Sequence, residues 1–457
     1  MIRRYVFSLQ VIMAILFLTG CTMQGKGGHD MLSDNSADKG ITVSNDAVSR
    51  DAFFVINTGG YEKEGSKEAL LISSFTEDDF KIMEGEREVY EGRVRYRKLN
   101  DSDDVGICDF SDFSEEGSYY IMTDSGIASE EFLIGSEVYS KILRERISGF
   151  LDKPAPGSDT MAGDLSGYCL GITDRLLAHE FFQDAIGESN DDPMVIPRTI
   201  LSVKPEIEAM LKLSDKDGSL KGRLSDDTGG YYQYSAVLSL FSYEYEGFDK
   251  KYASECGRVA AGVFKNAEKQ YEGSSDSVKK ALDDKRYWAA AQLYKLTGSR
   301  EYKVIAEDYA VDPPKGFRED KNGYLGTVAY LTCYKGIDLD TGEILITALM
   351  DDINDAVRIS FKGDYLVSVK GEMDKDKIGI LYENARLMVL GNYISKNIRY
   401  VEAGENQVAY LYGRNELGKD YAYGPDSDYY NEPLEFVLGG LIDSYIYNDK
   451  EPEAMKK

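Results

Sequence analysis

The sequence predicts an antiparallel β-sandwich followed by an all-α toroid, and three observations lead to this prediction. Residues 52–135 form short runs of alternating apolar and polar residues that end at Gly, Asp or Ser, which is typical of antiparallel strands. Beyond Glu137 the apolar period becomes helical, and helical segments recur almost to residue 448. No fixed repeat period is evident among these segments, so a closed toroid is favoured over a solenoid of identical units.

The N-terminus has the features of a bacterial lipoprotein signal. Arg3 and Arg4 precede an apolar run over residues 5–18, which is followed by the sequence LTGC ending at Cys21. Small residues before a cysteine are required by the lipoprotein peptidase, and the thiol then carries the lipid that holds the mature chain on the membrane. We therefore expect a protein anchored through Cys21 at the extracytoplasmic face of the cell membrane. A plain secretory signal is the alternative.

Composition divides the remainder of the chain. Residues 22–50 are rich in Gly, Ser, Asp and Lys and have too little apolar content to pack, which predicts a flexible tether after the signal segment 1–21. The roughly 400 residues that follow exceed the size of one small domain. The change of period near residue 137 predicts a β-domain over 51–136, a helical domain over 137–448 and a tail over 449–457.

Charge and residue inventory exclude several classes of site. The formal charge of -27, from 53 basic and 80 acidic residues, disfavours nucleic acid and anionic lipid surfaces and favours a neutral partner. With only 2 His, histidine-based metal sites and Ser-His triads are nearly excluded. The cysteines after Cys21 have no CxxC spacing, so no metal or cofactor is predicted, while a disulfide stays open; they are Cys108, Cys169, Cys256 and Cys333.

Four local stretches resemble a known family. They are AYLYGRNELGKDYAYG at 409–424, DDKRYWAAAQLYKLTGSREY at 283–302, IPRTILSVKPEIEAMLKLSDKDGSL at 196–220 and MAGDLSGYCLGITDRLLAHEFF at 161–182. Together with a β-module ahead of a helical domain, they resemble glycoside hydrolase family 9, the cellulase family. The resemblance implies an Ig-like β-sandwich, an (α/α)6 barrel and an inverting, endoglucanase-like activity on β-linked glucans or related plant polysaccharides.

The resemblance also implies a catalytic base. In the family, the two aspartates of a DAGD motif hold and deprotonate the attacking water, and the second of them matches Asp164 of MAGD. Met161 stands in place of the first, and a thioether cannot orient a water strongly. The water would then depend on Asp164, with help from Asp159 if the loop folds back. The alternative is that Asp164 only caps the helix that follows.

The position of the family's proton donor can be aligned with this sequence in two ways. Matching DYYNE at 428–432 to the family's segment keeps Glu432 as the proton donor. Matching the apolar face of the last helix instead aligns Asn431 with a family asparagine and puts the acid position near Pro425, where no Glu stands. Glu432 before Pro433 is also typical of a helix start with Asn431 as its N-cap.

Aromatic residues are the candidates for sugar stacking, because pyranose faces pack on flat rings. Tyrosines cluster at GGYYQY and YAYGPDSDYY, and the candidates are Tyr231, Tyr232, Tyr423, Tyr429 and Tyr430. The alternative for each is packing in the core with the hydroxyl at the rim. The family's substrate-binding histidine is missing, and the chain has only 1 Trp, which indicates an altered groove.

Two functions therefore stay open from the sequence. The first is a membrane-anchored glycoside hydrolase that acts on a neutral β-linked glucan, with Asp164 as base and Glu432 as acid. The second is a non-catalytic glycan-binding or scaffold lipoprotein that has kept the fold. A fold resemblance identifies the family more securely than the activity.

Overall fold

The computed structural model describes residues 52–98, 104–189, 192, 194–311, 317, 320–371, 373–422 and 433–448. The predicted signal segment, the tether and the tail lie outside the described residues, as does Cys21. None of the described helices combines the length and the apolar content that a membrane crossing requires.

The N-terminal part is an antiparallel sandwich, as predicted. Its strands are β1 (Ala52–Val55), β2 (Tyr61–Glu62), β3 (Glu68–Ser73), β4 (Asp79–Glu84), β5 (Arg87–Lys98), β6 (Asp104–Asp109), β7 (Gly117–Thr123) and β8 (Phe132–Gly135). Their order is β1-β3-β6-β5-β4-β7-β8-β2, with only β2 and β8 parallel. The first half of the long strand β5 pairs with β4 and the second half with β6, so this strand joins the two layers. An edge-to-face cluster of Tyr61, Phe110 and Phe132 fills the core between them.

The C-terminal part is helical throughout, as predicted. Its helices are α1 (Val138–Asp152), α2 (Ser158–Gly163), α3 (Leu165–Phe182), α4 (Arg198–Lys212), α5 (Thr228–Tyr245), α6 (Lys250–Glu272), α7 (Asp276–Thr297), α8 (Arg300–Ala310), α9 (Lys321–Leu331), α10 (Leu339–Lys362), α11 (Lys375–Ser395), α12 (Ile398–Leu411) and α13 (Glu435–Asn448). Apart from the short α2, they alternate between an inner and an outer position.

Six inner helices form a closed ring. Helix α5 packs against α3 and α7, α7 against α9, and α13 against both α3 and α11. Helices α9 and α11 meet through Lys321 Nζ and Glu383 Oε1, which are 3.2 Å apart. Helices α3, α5 and α9 are buried on nearly every face, whereas outer helices such as α6 and α10 carry a single apolar stripe. The fold is therefore the (α/α)6 barrel that the resemblance implied.

The short loops between paired helices give the ring one polarity. Only two residues, Gly298 and Ser299, separate α7 from α8, and two separate α11 from α12, so each inner helix runs antiparallel to its outer partner. All six inner helices therefore begin at the same end of the barrel, which we call the mouth. The only tryptophan, Trp288, lies in the ring on α7 with 1% of its surface exposed.

Three inner helices begin with the same cap, in which an Asp side chain accepts a hydrogen bond from the N–H of a Gly three residues later. The pairs are Asp164 and Gly167 at 3.1 Å, Asp227 and Gly230 at 2.9 Å, and Asp320 and Gly323 at 2.8 Å. A Cβ on these glycines would lie 2.4, 2.5 and 2.3 Å from the capping carboxylate. Glycine gives the carboxylate room at these three positions, whereas the caps from Asp249, Asp338 and Asp374 bond residues that carry a Cβ at 2.9 to 3.0 Å.

The β-sandwich packs along one side of the barrel. The N–H of Thr58 donates to the carbonyl of Tyr412 at 2.8 Å, just after α12 ends. Arg414 Nη1 lies 3.6 Å from Glu68 Oε2, and both side chains are largely buried. The sandwich therefore contacts the turn that follows α12 as well as the sides of α1 and α12.

The glycine caps make a testable prediction about stability. We expect Gly230→Ala to lower the free energy of unfolding by about 0.5 to 1 kcal/mol, because the new Cβ would lie 2.5 Å from the Asp227 carboxylate and 3.2 Å from Leu165, which strains the cap. The matched control is Gly379→Ala within α11, where a Cβ meets no atom within 4 Å. That change should raise the free energy of unfolding by about 0.5 to 1 kcal/mol through helix propensity. Urea unfolding followed by far-ultraviolet circular dichroism measures both, and equal stabilisation by the two would show that the cap is not strained.

Candidate functional site

Polar side chains from four inner helices meet in a hydrogen-bonded row near the mouth, which we call the polar floor. Gln233 Nε2 of α5 donates to Ser166 Oγ of α3 at 3.0 Å and to Asn322 Oδ1 of α9 at 3.1 Å. Asn322 Nδ2 donates in turn to Asp284 Oδ2 of α7 at 2.9 Å. Gln233 is 5% exposed, while Ser166 is exposed and Asn322 and Asp284 are half-buried. The row therefore has a buried middle and open ends.

The polar floor has the chemistry of a carbohydrate subsite. Amides, a hydroxyl and a carboxylate can both donate to and accept from sugar hydroxyls, and a fixed row of them orients a ligand. Two lysines stand beside it: Lys285 Nζ lies 3.4 Å from Asp284 Oδ2, and Lys321 Nζ lies 3.2 Å from Glu383 Oε1. Each of these lysines is therefore paired with a carboxylate beside the floor.

A chain of buried charges links five ring and outer-layer side chains, and we call it the buried ion chain. Arg146 Nε of α1 pairs with Glu435 Oε1 of α13 at 2.6 Å, and Arg386 Nη2 of α11 pairs with Asp174 Oδ1 of α3 at 2.6 Å. Arg386 Nη1 also donates to both oxygens of Glu383 at 3.1 Å. All five side chains are at most 5% exposed. They cannot touch a polysaccharide and serve the fold.

The buried ion chain sets where the last inner helix begins. Asp174 Oδ2 accepts the backbone N–H of Phe436 at 3.0 Å, in the first turn of α13. Burial raises the pKa of Asp174 to about 6, and a hydrogen bond joins it to Glu435. Burial also opposes ionisation of Glu435, but the guanidinium groups of Arg146 and Arg175 outweigh it and hold its pKa below the ordinary value. Of the two carboxyls, Asp174 is therefore the one that binds a proton first as the pH falls.

Asp164 lies at the mouth, at the start of α3, with its side chain exposed. Its carboxylate caps that helix, which is the structural role that the sequence left open. Met161 precedes it on α2 and is 0% exposed, so the thioether is packed in the core. Asp159 is exposed in the first turn of α2, and its carbonyl accepts a hydrogen bond from Arg223 Nη2 at 2.9 Å. In sequence, Asp164 comes two residues before Ser166 of the polar floor, and both side chains are exposed.

The two tyrosines at the start of α5 are core residues, which corrects their prediction as stacking platforms. Tyr231 is 3% exposed and its hydroxyl accepts the N–H of Leu220 at 2.9 Å. Tyr232 is 0% exposed and donates to Glu268 Oε1 at 2.6 Å. Their rings have no free face on which a sugar could stack, because burial satisfies both the apolar ring and the hydroxyl. The other predicted residues, Tyr423, Tyr429, Tyr430, Asn431 and Glu432, lie outside the described residues.

The polar floor was missed by sequence reasoning, although a signal for part of it exists. Ser166 and Asn322 both occupy the position before the glycine of an Asp-x-x-Gly cap, in DLSG and DKNG. A small polar residue at that position of an inner helix faces the mouth in both cases. Gln233 and Asp284 lie further along α5 and α7, where one sequence gives no comparable signal.

The described residues include no group of three or more His, Cys, Asp or Glu side chains arranged to hold a metal ion. Cys108, Cys169, Cys256 and Cys333 are all buried free thiols. Burial is the main reason that the pKa of each thiol is raised, so these cysteines are poor nucleophiles at neutral pH.

The buried ion chain gives a second testable prediction. We expect Arg386→Met to lower the free energy of unfolding by about 3 to 5 kcal/mol, because it leaves Asp174 buried without its cation and leaves Glu383 with only Lys321. Arg358→Met is the matched control, since Arg358 pairs with Asp355 at the surface with more than half of its side chain exposed. That control should change stability by less than about 1 kcal/mol. Urea unfolding measures the stability of both variants. Similar losses of unfolding free energy for the two would contradict a structural role of the buried ion chain.

Comparison with known families matches both parts of the chain. Residues 225–436 match the model of "Glycosyl hydrolase family 9", and residues 50–126 match that of "Cellulase N-terminal ig-like domain". The polar floor residues Gln233, Asp284 and Asn322 lie within the first match, whereas Asp164 and Ser166 precede it.

Individual relatives extend the similarity over most of the chain. An endoglucanase D of Acetivibrio thermocellus is 23% identical over 512 residues, covering 92% of this chain and 76% of its own. A cellodextrinase of Butyrivibrio fibrisolvens is 22% identical, covering 83% of this chain and 86% of its own. A metagenome-derived family 9 endoglucanase superposes with a TM-score of 0.71 at 16% identity, covering 86% of this chain and 99% of its own. At that identity the structural likeness shows a shared fold.

Proposed function

Because this chain belongs to glycosyl hydrolase family 9 and carries a cellulase-type Ig-like domain, we propose that it is an endoglucanase-like hydrolase of β-linked glucan. We further propose that a lipid on Cys21 holds it at the extracytoplasmic face of the membrane. The observation that supports the activity best is the polar floor, a row of hydrogen-bonding side chains suited to sugar hydroxyls at the mouth of an (α/α)6 ring.

The proposed chemistry is direct displacement by water with inversion. It requires one carboxylate to activate the water and one carboxylic acid to protonate the leaving oxygen, about 6.5 to 9.5 Å apart. Asp164 is the proposed base: its carboxylate is exposed at the mouth, and the cap to Gly167 occupies only part of its accepting capacity. Glu432, shortly before α13, is the proposed acid.

The same site is proposed to turn over slowly. The residue that would share the water with Asp164 is Met161, whose thioether is buried and offers no strong acceptor. A single carboxylate then has to cap a helix and position the water, and imperfect positioning of a general base costs rate steeply. The polar floor contains neither Met161 nor Asp164. We therefore expect glucan binding to persist even though Met161 stands where the family has its first aspartate.

A non-catalytic glycan-binding lipoprotein is the second candidate, and one observation favours it. Asp164 makes the same Asp-x-x-Gly cap as Asp227 and Asp320, neither of which needs a catalytic role to explain its position. If Asp164 is only a third member of that set, the mouth binds glucan without cleaving it.

The caps provide a matched test of the catalytic proposal. We expect Asp164→Asn to lower reducing-end release from soluble β-glucans by at least about 100-fold, because an amide cannot take the proton of the water. Asp227→Asn makes the same substitution in the same kind of cap and should keep the wild-type rate, since Asn also caps helices well. Glu432→Gln should abolish release in the same way if it is the acid. The measurement uses the full-length chain, with glucan binding recorded alongside.

The outcomes separate the two candidates. Binding with no release in the wild type would support the non-catalytic lipoprotein. Release that persists in Asp164→Asn would overturn Asp164 as the base. A wild type that neither binds nor cleaves β-glucans would overturn both candidates.

The anchor has its own test. We expect Cys21→Ser to abolish incorporation of labelled palmitate and to move the protein from the membrane fraction to the soluble fraction, because the lipid is attached through that thiol. The wild-type chain expressed in the same cells is the reference. Continued labelling of the variant would contradict the assignment.

A further inference from the structure

Two buried glutamates lie where the β-sandwich meets the barrel. Glu405 of α12 is 4% exposed and accepts hydrogen bonds from the N–H of Ser66 at 3.2 Å, from the Tyr139 hydroxyl at 3.3 Å and from the Tyr445 hydroxyl. Glu62 of β2 is 5% exposed and accepts the N–H of Tyr139 at 2.9 Å. We call Glu62, Ser66, Tyr139, Glu405 and Tyr445 the interdomain hub, since its members come from both domains.

The hub is a narrow bridge between two cavities. One cavity, of about 500 Å³, is lined by Glu62 and Tyr445 together with α1 and the start of α4. The other, of about 350 Å³, is lined by Ser66, Glu405 and Tyr445 together with α10 and β6 residues. Between the cavities Tyr139 stacks on Tyr445, so the domain contact at this point combines one ring pair with the hydrogen bonds of the two glutamates.

The cations near the hub are engaged elsewhere. Lys67 is buried, and its Nζ donates to the carbonyls of Lys63 at 2.7 Å and Gly65 at 2.9 Å. Arg414 is buried and pairs with Glu68 at 3.6 Å. Among the described residues, neither Glu62 nor Glu405 makes an ion pair with a basic side chain. Acidic side chains also surround the two glutamates: Glu137 and Glu116 disfavour ionisation of Glu62, while Glu64, Glu68, Asp109 and Glu402 line the same cavity as Glu405.

Burial therefore dominates their titration. Burial raises the pKa of Glu62 to about 7, and the nearby charges of Glu137 and Glu116 raise it further. The backbone hydrogen bonds from Tyr139 and Val138 act in the opposite direction. Burial raises the pKa of Glu405 to about 7, although the hydrogen bonds from Tyr445, Ser66 and Tyr139 and the charge of Lys67 oppose it. Protonation removes the buried negative charge, whose cost outweighs the hydrogen bonds that favour the ionised form.

We propose that the interdomain hub is a pH-sensitive latch, in which protonated Glu62 and Glu405 hold the β-sandwich on the barrel and their ionisation loosens it. The direction follows from linkage. A carboxyl whose folded pKa is raised adds stability that is fully present below its ordinary pKa of 4.5 and is lost as pH rises through 7. Docking is thus tightest in acid and weakest in mildly alkaline medium.

Amide hydrogen exchange tests the latch in the full-length chain. The reporter is the N–H of Thr58, which donates to Tyr412 across the interface and does not touch either glutamate. Between pH 6 and pH 8, linkage lowers the docking constant about tenfold for each carboxyl, so the protection factor of Thr58 should fall about 100-fold. In the Glu62→Gln/Glu405→Gln double variant it should stay nearly constant, because a neutral amide resembles the protonated acid.

Controls keep the test decisive. Glu64→Gln removes a charge from the exposed part of the same loop and should leave the full 100-fold change. If the double variant does not fold, each single variant should retain a change of about tenfold. A protection factor that varies less than about threefold in the wild type would overturn the proposal, as would a double variant with the wild-type pH dependence.

Discussion

The ring of inner helices depends on one buried carboxylate. Asp174 of α3 receives the guanidinium of Arg386 from α11 and the backbone N–H of Phe436 from α13, so a single side chain joins three helices of the barrel. Helix α13 comes last in the chain, and its position completes the ring. Removing any one partner would leave a buried charge uncompensated. Each member of this cluster is therefore needed to hold the others in place. The mouth, and the polar floor with it, has its shape because the ring closes here.

The fold could be predicted because its signals are local. Alternation over the strands and the change to a helical period after Glu137 depend only on which face each residue buries. The polar floor could not be predicted in the same way, since Gln233, Asn322 and Asp284 are far apart in sequence and meet only in the folded barrel. Asp174 and Arg386 escaped notice for the same reason: a charged residue on a helix is usually exposed, and only tertiary structure reveals its partner.

Tyr231 and Tyr232 show a second limit of sequence reasoning. A tyrosine cluster beside a loop has the composition of a sugar-binding surface, but the same residues suit a core in which each hydroxyl finds an acceptor or a donor. The sequence cannot distinguish these cases because both bury the ring, one against a ligand and the other against protein. The cap of Asp164 is different: an Asp just before a helical run is a local signal, and the capping role that the structure shows was already one of the two alternatives in the sequence.

The location of Trp288 gives the molecule a built-in optical probe of one domain. The indole is buried between α7 and its neighbours in the ring, and the β-sandwich contains no tryptophan. Tryptophan emission therefore reports the barrel alone, while far-ultraviolet circular dichroism and tyrosine signals report both domains. A transition visible in the second kind of signal but silent in the first would be the sandwich unfolding on its own, so the cooperativity between the two domains can be measured without a label.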